Sequence, residues 1–162
     1  MTNLKTPTLD ALKQFLHPLG YRKKAGLFSR ELKDVVHLVE VQGSRHSTSA
    51  QAVFTVNLGI FVPELVYPDV REATKPSIPG GHWMQRLGVL CPENQDLWWK
   101  PETPEQALEA ADDILNRLRL FGIPVLEALP NAVSLVELWK SGRSPGLTER
   151  QRAKFLVALG QV

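Results

Sequence analysis

The sequence lacks most of the features by which a function is recognised. Its 162 residues include one cysteine, Cys91, so no disulfide forms within the chain, and a zinc site using this thiolate needs three further ligands from histidine or carboxylate. No apolar run approaches the ~20 residues that a membrane-spanning helix requires, and the first residues are not typical of a signal peptide. We therefore expect a cytoplasmic protein that has no membrane partner.

An excess of one charge is also missing. The 19 basic and 17 acidic residues leave a net charge of +2, which is too small to indicate nucleic-acid binding by itself. Residues 1–50 nevertheless hold eight Lys and Arg against four Asp and Glu, a bias typical of an anionic partner or of a solvated face. The 43% hydrophobic content is ordinary for a globular protein, and the length predicts that residues 1–162 form a single domain.

Most of the common catalytic and cofactor motifs are absent as well. There is no Gly-x-x-x-x-Gly-Lys and no Gly-x-Gly-x-x-Gly, the serines of residues 43–49 do not have the Gly-x-Ser-x-Gly spacing, and no two histidines are four residues apart. Phosphate cradles, nucleophile elbows and helical zinc motifs depend on these spacings. We therefore predict no catalytic residue, no cofactor and no metal site.

Hydrophobic spacing predicts an α+β fold. Leu9, Leu12, Leu16 and Leu19 fit one face of an N-terminal helix. Residues 50–62 alternate strictly, with apolar residues on one face and a semi-polar set on the other, which is typical of a strand in an antiparallel sheet. Four strands are predicted in all: 27–32, 35–42, 50–62 and 82–90. Residues 8–100 would thus form a helix and an antiparallel sheet of about four strands.

The C-terminal part, residues 103–162, is predicted to be helical. Thr103 precedes Pro104 and Gln106, and Thr148 precedes Gln151, two patterns that typically begin helices. With a segment near 131–140 they predict a layer of about three helices. Between sheet and helices, residues 63–81 form a long connection rich in proline and glycine, of the kind that often carries function.

Several short motifs in the first two-thirds of the chain resemble one bacterial family. They are Gly20 to Lys23, Phe28 to Arg30, Val39 to Gln42, Phe54-Thr55-Val56-Asn57-Leu58-Gly59, Arg86 to Gly88, and Trp98-Trp99. The pattern is similar to that of the domain of unknown function numbered 4304 over roughly residues 8 to 120. This resemblance implies a small α+β domain without an established activity, so it assigns no catalytic residue.

Two groups of residues are candidates for binding. The semi-polar strand face offers amides and hydroxyls that, with nearby arginines, suit an anion or a peptide backbone. Tryptophans are enriched at binding hot spots, and two adjacent ones on an extended segment point in opposite directions. The candidate site residues are Arg30, Gln42, Arg45, Thr55, Asn57, Trp83, Arg86, Trp98 and Trp99.

Three functional hypotheses follow. The favoured one is a non-catalytic interaction module with a protein partner, in the manner of a bacterial immunity or accessory protein. The second is an enzyme, with or without a metal, whose His46, His82 and Cys91 would have to lie within about 4 Å of one another. The third is nucleic-acid binding through the basic N-terminal half, with Tyr21, Phe28 and Trp83 as stacking aromatics. Its cations are Arg22, Lys23, Lys24, Arg30, Lys33, Arg45 and His46.

Overall fold

The computed structural model, which describes residues 3–67, 69–70 and 74–160, confirms the α+β prediction. An N-terminal helix precedes a five-stranded antiparallel sheet, and helices follow it. The strands are β1 (Arg22–Lys24), β2 (Leu27–Glu31), β3 (Val36–Gly43), β4 (Phe54–Phe61) and β5 (Trp83–Arg86). The helices are α1 (Thr6–Leu16), α2 (Leu87–Leu90), α3 (Pro104–Arg117), α4 (Ile123–Glu127), α5 (Ala132–Lys140) and α6 (Glu149–Ala158).

The strands lie side by side in chain order, and each pairs antiparallel with the next. This meander needs only short connections between most strands, as the sequence predicts. β4 is the best-covered strand, because every residue from Phe54 to Phe61 is buried. It pairs with β3 over its whole length, from Val36 opposite Phe61 to Gly43 opposite Phe54.

The main hydrophobic core lies between one face of the sheet and the helices. We call this face the first face. Val39, Val56, Leu58 and Ile60 project from it and are each fully buried. Helices α1, α3 and α5 cover it with a set of buried side chains: Leu12, Leu16, Ile114, Leu135 and Trp139. The first face therefore accounts for the apolar half of the alternating strand pattern.

The structure has one more strand than the sequence predicts. β1 consists of three exposed cationic residues, which carry no apolar alternation from which a strand could be predicted. The predicted strand 82–90 divides at Arg86, where the chain turns into the short helix α2. The predicted N-caps of α3 and α6 are confirmed, because Thr103 accepts from Gln106 N and Thr148 accepts from Gln151 N.

The helical layer also has one helix more than predicted. A π-helical turn at Leu118–Gly122 joins α3 directly to α4. Gly122 lies against the core there, and an added Cβ would come within 2.8 Å of Leu118 Cδ1 and 3.1 Å of Leu58 Cδ1. Pro124 occupies the first turn of α4, where its missing N–H costs no helical hydrogen bond.

Residues 68 and 71–73 of the predicted connection 63–81 lie outside the described part of the chain. In that described part, no single helix is both long and apolar enough to cross a membrane, although Pro104–Glu127 and Ala132–Lys140 reach the required length and composition as a pair bent by 91°.

We predict that Gly88→Ala destabilises the fold, because Gly88 is where α2 touches the segment that follows it. A Cβ at this position would collide with the carbonyl oxygen of Gln95 and lie 2.8 Å from Leu97 N. Forcing backbone apart in a packed region costs about 1–3 kcal/mol, which urea unfolding measures. The matched control is Gly43→Ala, where the nearest atom is the mobile Lys5 Nζ at 3.2 Å. Equal stability of both variants would contradict the prediction.

Candidate functional site

The second face of the sheet, opposite the helices, carries the polar half of the strand pattern. Antiparallel register places Glu40 opposite Asn57 and Gln42 opposite Thr55. Asn57 is in turn opposite Arg86 on the neighbouring strand. Because directly paired residues project from the same face, these five side chains form one polar surface across β3, β4 and β5.

This face is covered at its two ends and has a groove between them. At one end, Ile78 of the long connection packs on Val36, Leu38 and Phe61. At the other end, the hydroxyl of Thr55 donates to the carbonyl oxygen of Leu97 at 2.7 Å. The groove has a volume of about 610 Å³ and is lined by Glu40, Gln42, Asn57, Ile78, Pro79, Met84, Gln85, Arg86 and Gly146.

Asn57 organises the floor of the groove. Only 5% of its surface is exposed, so its amide needs partners inside the protein. It donates one hydrogen to Glu40 Oε1 at 3.0 Å and the other to Gln42 Oε1 at 2.7 Å. These bonds fix both β3 side chains. They leave the Gln42 amide nitrogen and the second Glu40 oxygen without a hydrogen-bond partner among the described residues, as one free donor and one free acceptor.

Arg86 forms the wall of the groove nearest Trp98. Its guanidinium carbon lies 5.0 Å from the centre of a Trp98 ring, within the range of a cation–π contact. Its Nε lies 3.3 Å from Asp96 Oδ1. Its Nη1 is buried and has no hydrogen-bond partner in the part of the chain that the structure describes. The guanidinium is thus held in place on two sides while one of its donors remains unused.

The segment carrying Trp98 is fixed by its neighbours rather than by the groove. Trp99 exchanges two backbone hydrogen bonds with Phe54, at 3.0 and 2.8 Å. Its indole Nε1 donates to Asp113 Oδ2 on α3 at 2.8 Å, and Arg117 donates to the same carboxylate. Trp99 therefore anchors the segment to α3, which leaves Trp98 to face Arg86.

Of the nine predicted site residues, three line this groove, Gln42, Asn57 and Arg86, and a fourth, Trp98, lies against Arg86. Thr55 lies beside them but is fully buried and bonded to Leu97. Arg30 pairs with Glu127 at 2.7 Å, and Arg45 lies in the exposed loop after β3. Trp99 has the anchoring role just described.

Trp83, predicted as a binding residue, does not lie at this surface. It stands opposite Ile60 on the first face and is 2% exposed, inside the main core. The groove lining also contains six residues absent from the predicted set: Glu40, Ile78, Pro79, Met84, Gln85 and Gly146. Glu40 is two residues before Gln42, so strand periodicity alone places both on one face.

The three residues of the enzyme hypothesis do not come together. His82 adjoins the end of β4, where its N–H donates to Ile60 O, whereas His46 lies in the loop before the start of β4. The eight residues of β4 separate these ends by about 25 Å at the normal strand rise. Cys91 is buried and its thiol donates to Leu87 O at 3.3 Å.

A metal centre finds no support either. Within residues 3–67, 69–70 and 74–160, no group of three or more His, Cys, Asp or Glu side chains is placed to hold a metal ion.

His82 instead has a structural environment. Its Nδ1 accepts a hydrogen bond from Val62 N at 2.9 Å, and its ring packs between Phe61 and Phe155. Burial lowers the pKa of His82 to about 4.

Comparison with known proteins identifies the family. The model of the family described as a domain of unknown function, DUF4304, matches residues 12–128. The match covers the second half of α1, the whole sheet and the helices through α4, and the chain therefore belongs to this family. No curated protein and no solved structure matches the chain. Helices α5 and α6 lie beyond the matched residues.

We predict that acid destabilises the protein partly through His82. The folded pKa of about 4 lies below the ordinary value of 6.5, so between these pH values the unfolded chain binds a proton that the folded chain does not. Stability conferred by the neutral ring is present above pH 6.5 and is lost as the pH falls towards 4. His82→Gln should remove at most about 1.4 kcal/mol per pH unit from the slope of unfolding free energy against pH.

Urea unfolding at pH 7, 6 and 5 measures this slope. The exposed His46 provides the control, since His46→Gln should keep the wild-type slope. The burial of His37 also lowers its pKa, so part of the slope should remain in the His82 variant. A wild-type slope in His82→Gln would show that this ring does not contribute.

The two tryptophans on opposite faces should differ in their effect on stability. Trp83→Ala removes a side chain from the core and is expected to cost about 3–5 kcal/mol. Trp98 is only half-buried, so Trp98→Ala should cost about 1 kcal/mol. Thermal unfolding of both variants tests this, and equal destabilisation would place Trp98 in the core rather than at a binding surface.

Proposed function

We propose that this DUF4304 protein is a non-catalytic binding module that holds a segment of a protein partner in the second-face groove. The observation that carries the proposal is the state of Arg86. Its guanidinium lies on Trp98 and beside Asp96, and 28% of the side chain is exposed where it lines the groove. The accessible N–H groups of this prepositioned guanidinium can therefore donate to an acceptor oxygen of a bound partner.

The polar groups of the groove suit a polypeptide. Arg86 supplies donors, Gln42 supplies an amide N–H, and Glu40 supplies a carboxylate oxygen. A peptide backbone presents both carbonyl acceptors and N–H donors, and therefore matches a surface that offers both kinds of group. A purely anionic ligand fits less well, because Glu40 lies beside the position that an anion would take.

The remaining walls supply apolar contact. Ile78 and Pro79 of the long connection form one side, and Met84 of β5 lies in the lining. Methionine adapts to varied partner surfaces, and arginine and tryptophan are the residue types most enriched at binding hot spots. The groove thus combines a rigid Arg–Trp pair with an apolar wall, which is the usual composition of a protein-recognition site.

The finer parts of the proposal come from the sequence alone. We place the module in the bacterial cytoplasm, and we expect it to act on its partner in the manner of an immunity or accessory protein. A groove without an assembled acid–base or nucleophile–base pair supports binding rather than turnover. The histidines and cysteine of the alternative enzyme hypothesis lie apart, as described above.

Arg86→Ala should abolish capture of the partner. Tagged full-length protein is incubated with a nuclease-treated lysate of the source organism, and bound proteins are quantified by mass spectrometry. We expect one stoichiometric partner, whose recovery falls about tenfold or more in Arg86→Ala, as for a hot-spot residue. Arg45→Ala is the matched control, because it removes the same charge from an exposed position outside the groove.

Thermal unfolding of both variants ensures that any loss of capture is not a loss of fold. Equal recovery of the partner by Arg86→Ala and wild type would overturn the assignment of the groove. Proteins recovered from an untreated lysate but lost from the nuclease-treated lysate would be held through nucleic acid.

A further inference from the structure

A second, independent surface lies at the opposite edge of the sheet, where α1 meets β1. A cleft of about 320 Å³ opens there, and four of its lining side chains are basic: Lys13 from α1, His17 just after α1, and Arg22 and Lys23 from β1. Lys24 continues the strand beside the cleft. The short connection between α1 and β1 thus brings basic side chains of the helix end and of the edge strand together.

These cations are exposed and unpaired within the described residues. Lys13, Arg22, Lys23 and Lys24 are all exposed, and none of them forms a salt bridge with a described carboxylate. A neighbouring cleft shares Lys13 and His17 and adds one acidic side chain, Asp10. The local charge is therefore strongly positive, although the whole chain carries only +2.

Stabilisation of the fold does not account for the whole cluster. The dipole of α1 favours cations in its last turn, which explains Lys13. Charged residues on an edge strand prevent unwanted strand pairing, which explains β1. Neither effect requires the two groups to converge on one cleft. Their convergence concentrates positive potential in a concave site, where an anion binds most strongly.

The aromatic residues near the cleft indicate which part of a nucleic acid would be contacted. Tyr21 and Phe28 line the cleft but are only 2% and 1% exposed. They are too buried to stack on bases, as single-strand binders require. Arg22 and Lys24 project from the same side of β1, about 6.6 Å apart at the strand rise, so each can contact a different phosphate of one backbone.

We propose that this cationic cleft docks the phosphate backbone of double-stranded nucleic acid, without reading its sequence. Lys13, Arg22, Lys23 and Lys24 are the contacting groups. Three of the seven cations in the basic N-terminal half therefore contribute: Arg22, Lys23 and Lys24. Lys24 adjoins two lining residues, Lys23 and Ala25. Arg30 is neutralised by Glu127, while Lys33, Arg45 and His46 neither line the cleft nor adjoin a residue that does. The proposal does not depend on the groove or on a protein partner.

The test is fluorescence anisotropy of a labelled DNA duplex titrated with the full-length protein. The duplex has about 20 base pairs of arbitrary sequence. Four phosphate contacts predict a slope of log affinity against log salt of about −3.6, so affinity should fall about 150-fold between 50 and 200 mM salt. Arg22→Glu with Lys23→Glu should weaken binding at 50 mM salt by about tenfold or more and should reduce the slope by about 2.

The control pair is Lys33→Glu with Lys100→Glu, which changes the net charge equally at exposed positions outside the cleft. It should leave both affinity and slope close to wild type. An equal loss in the control pair would overturn the proposal in favour of non-specific charge, as would binding that does not respond to salt. Binding to phosphatidylserine vesicles without binding to the duplex would also overturn it.

Discussion

Asn57 lies in the middle of β4 with 5% of its surface exposed, and its amide hydrogens must be bonded inside the protein. Glu40 and Gln42 meet this requirement from the adjacent strand. Thr55, two residues earlier, meets the same requirement by donating to Leu97. The polar face of β4 is therefore satisfied entirely by its neighbours, and these bonds determine where the second face is closed and where the groove remains.

The closing segment depends on the same constraint. Leu97 must lie over Thr55 to accept its hydrogen bond, and Gly88 permits the close backbone approach that brings Gln95 and Leu97 there. Trp99 then bonds to Asp113 on α3, so Trp98 is left on the other side of the segment, against Arg86. The contact between Arg86 and Trp98 is thus a consequence of how the residues around β4 pack, on both faces of the sheet.

Periodicity predicted what depends on local sequence. The alternation of residues 50–62 identified β4 and its polar face, and threonine caps located α3 and α6. It missed β1, whose three cations have no alternation, and the division of residues 82–90 into strand and helix. It also misplaced Trp83, because the side of the sheet that a tryptophan joins depends on register: opposite Ile60, Trp83 belongs to the core. The pairing of Arg86 with Trp98 and Asp96 is long-range and leaves no local pattern.

The cationic cleft lies at the β1 edge of the sheet, whereas the groove extends across β3, β4 and β5, so β1 and the nearest groove strand are two strand spacings or about 10 Å apart. The groove offers mixed donors and acceptors with apolar walls, whereas the charged side chains of the cleft are all basic. The two sites share no lining residue, so substitutions in one should leave the other intact.

The most direct measurement of the central claim is photo-crosslinking in the cells of origin from a benzoylphenylalanine placed at Pro79, an exposed residue that lines the groove. The same group at Glu109, exposed on α3 outside the groove, is the comparison. We expect one discrete crosslinked protein from position 79 and none from position 109. The same products from both positions, or none from position 79, would contradict a partner-binding groove on the second face.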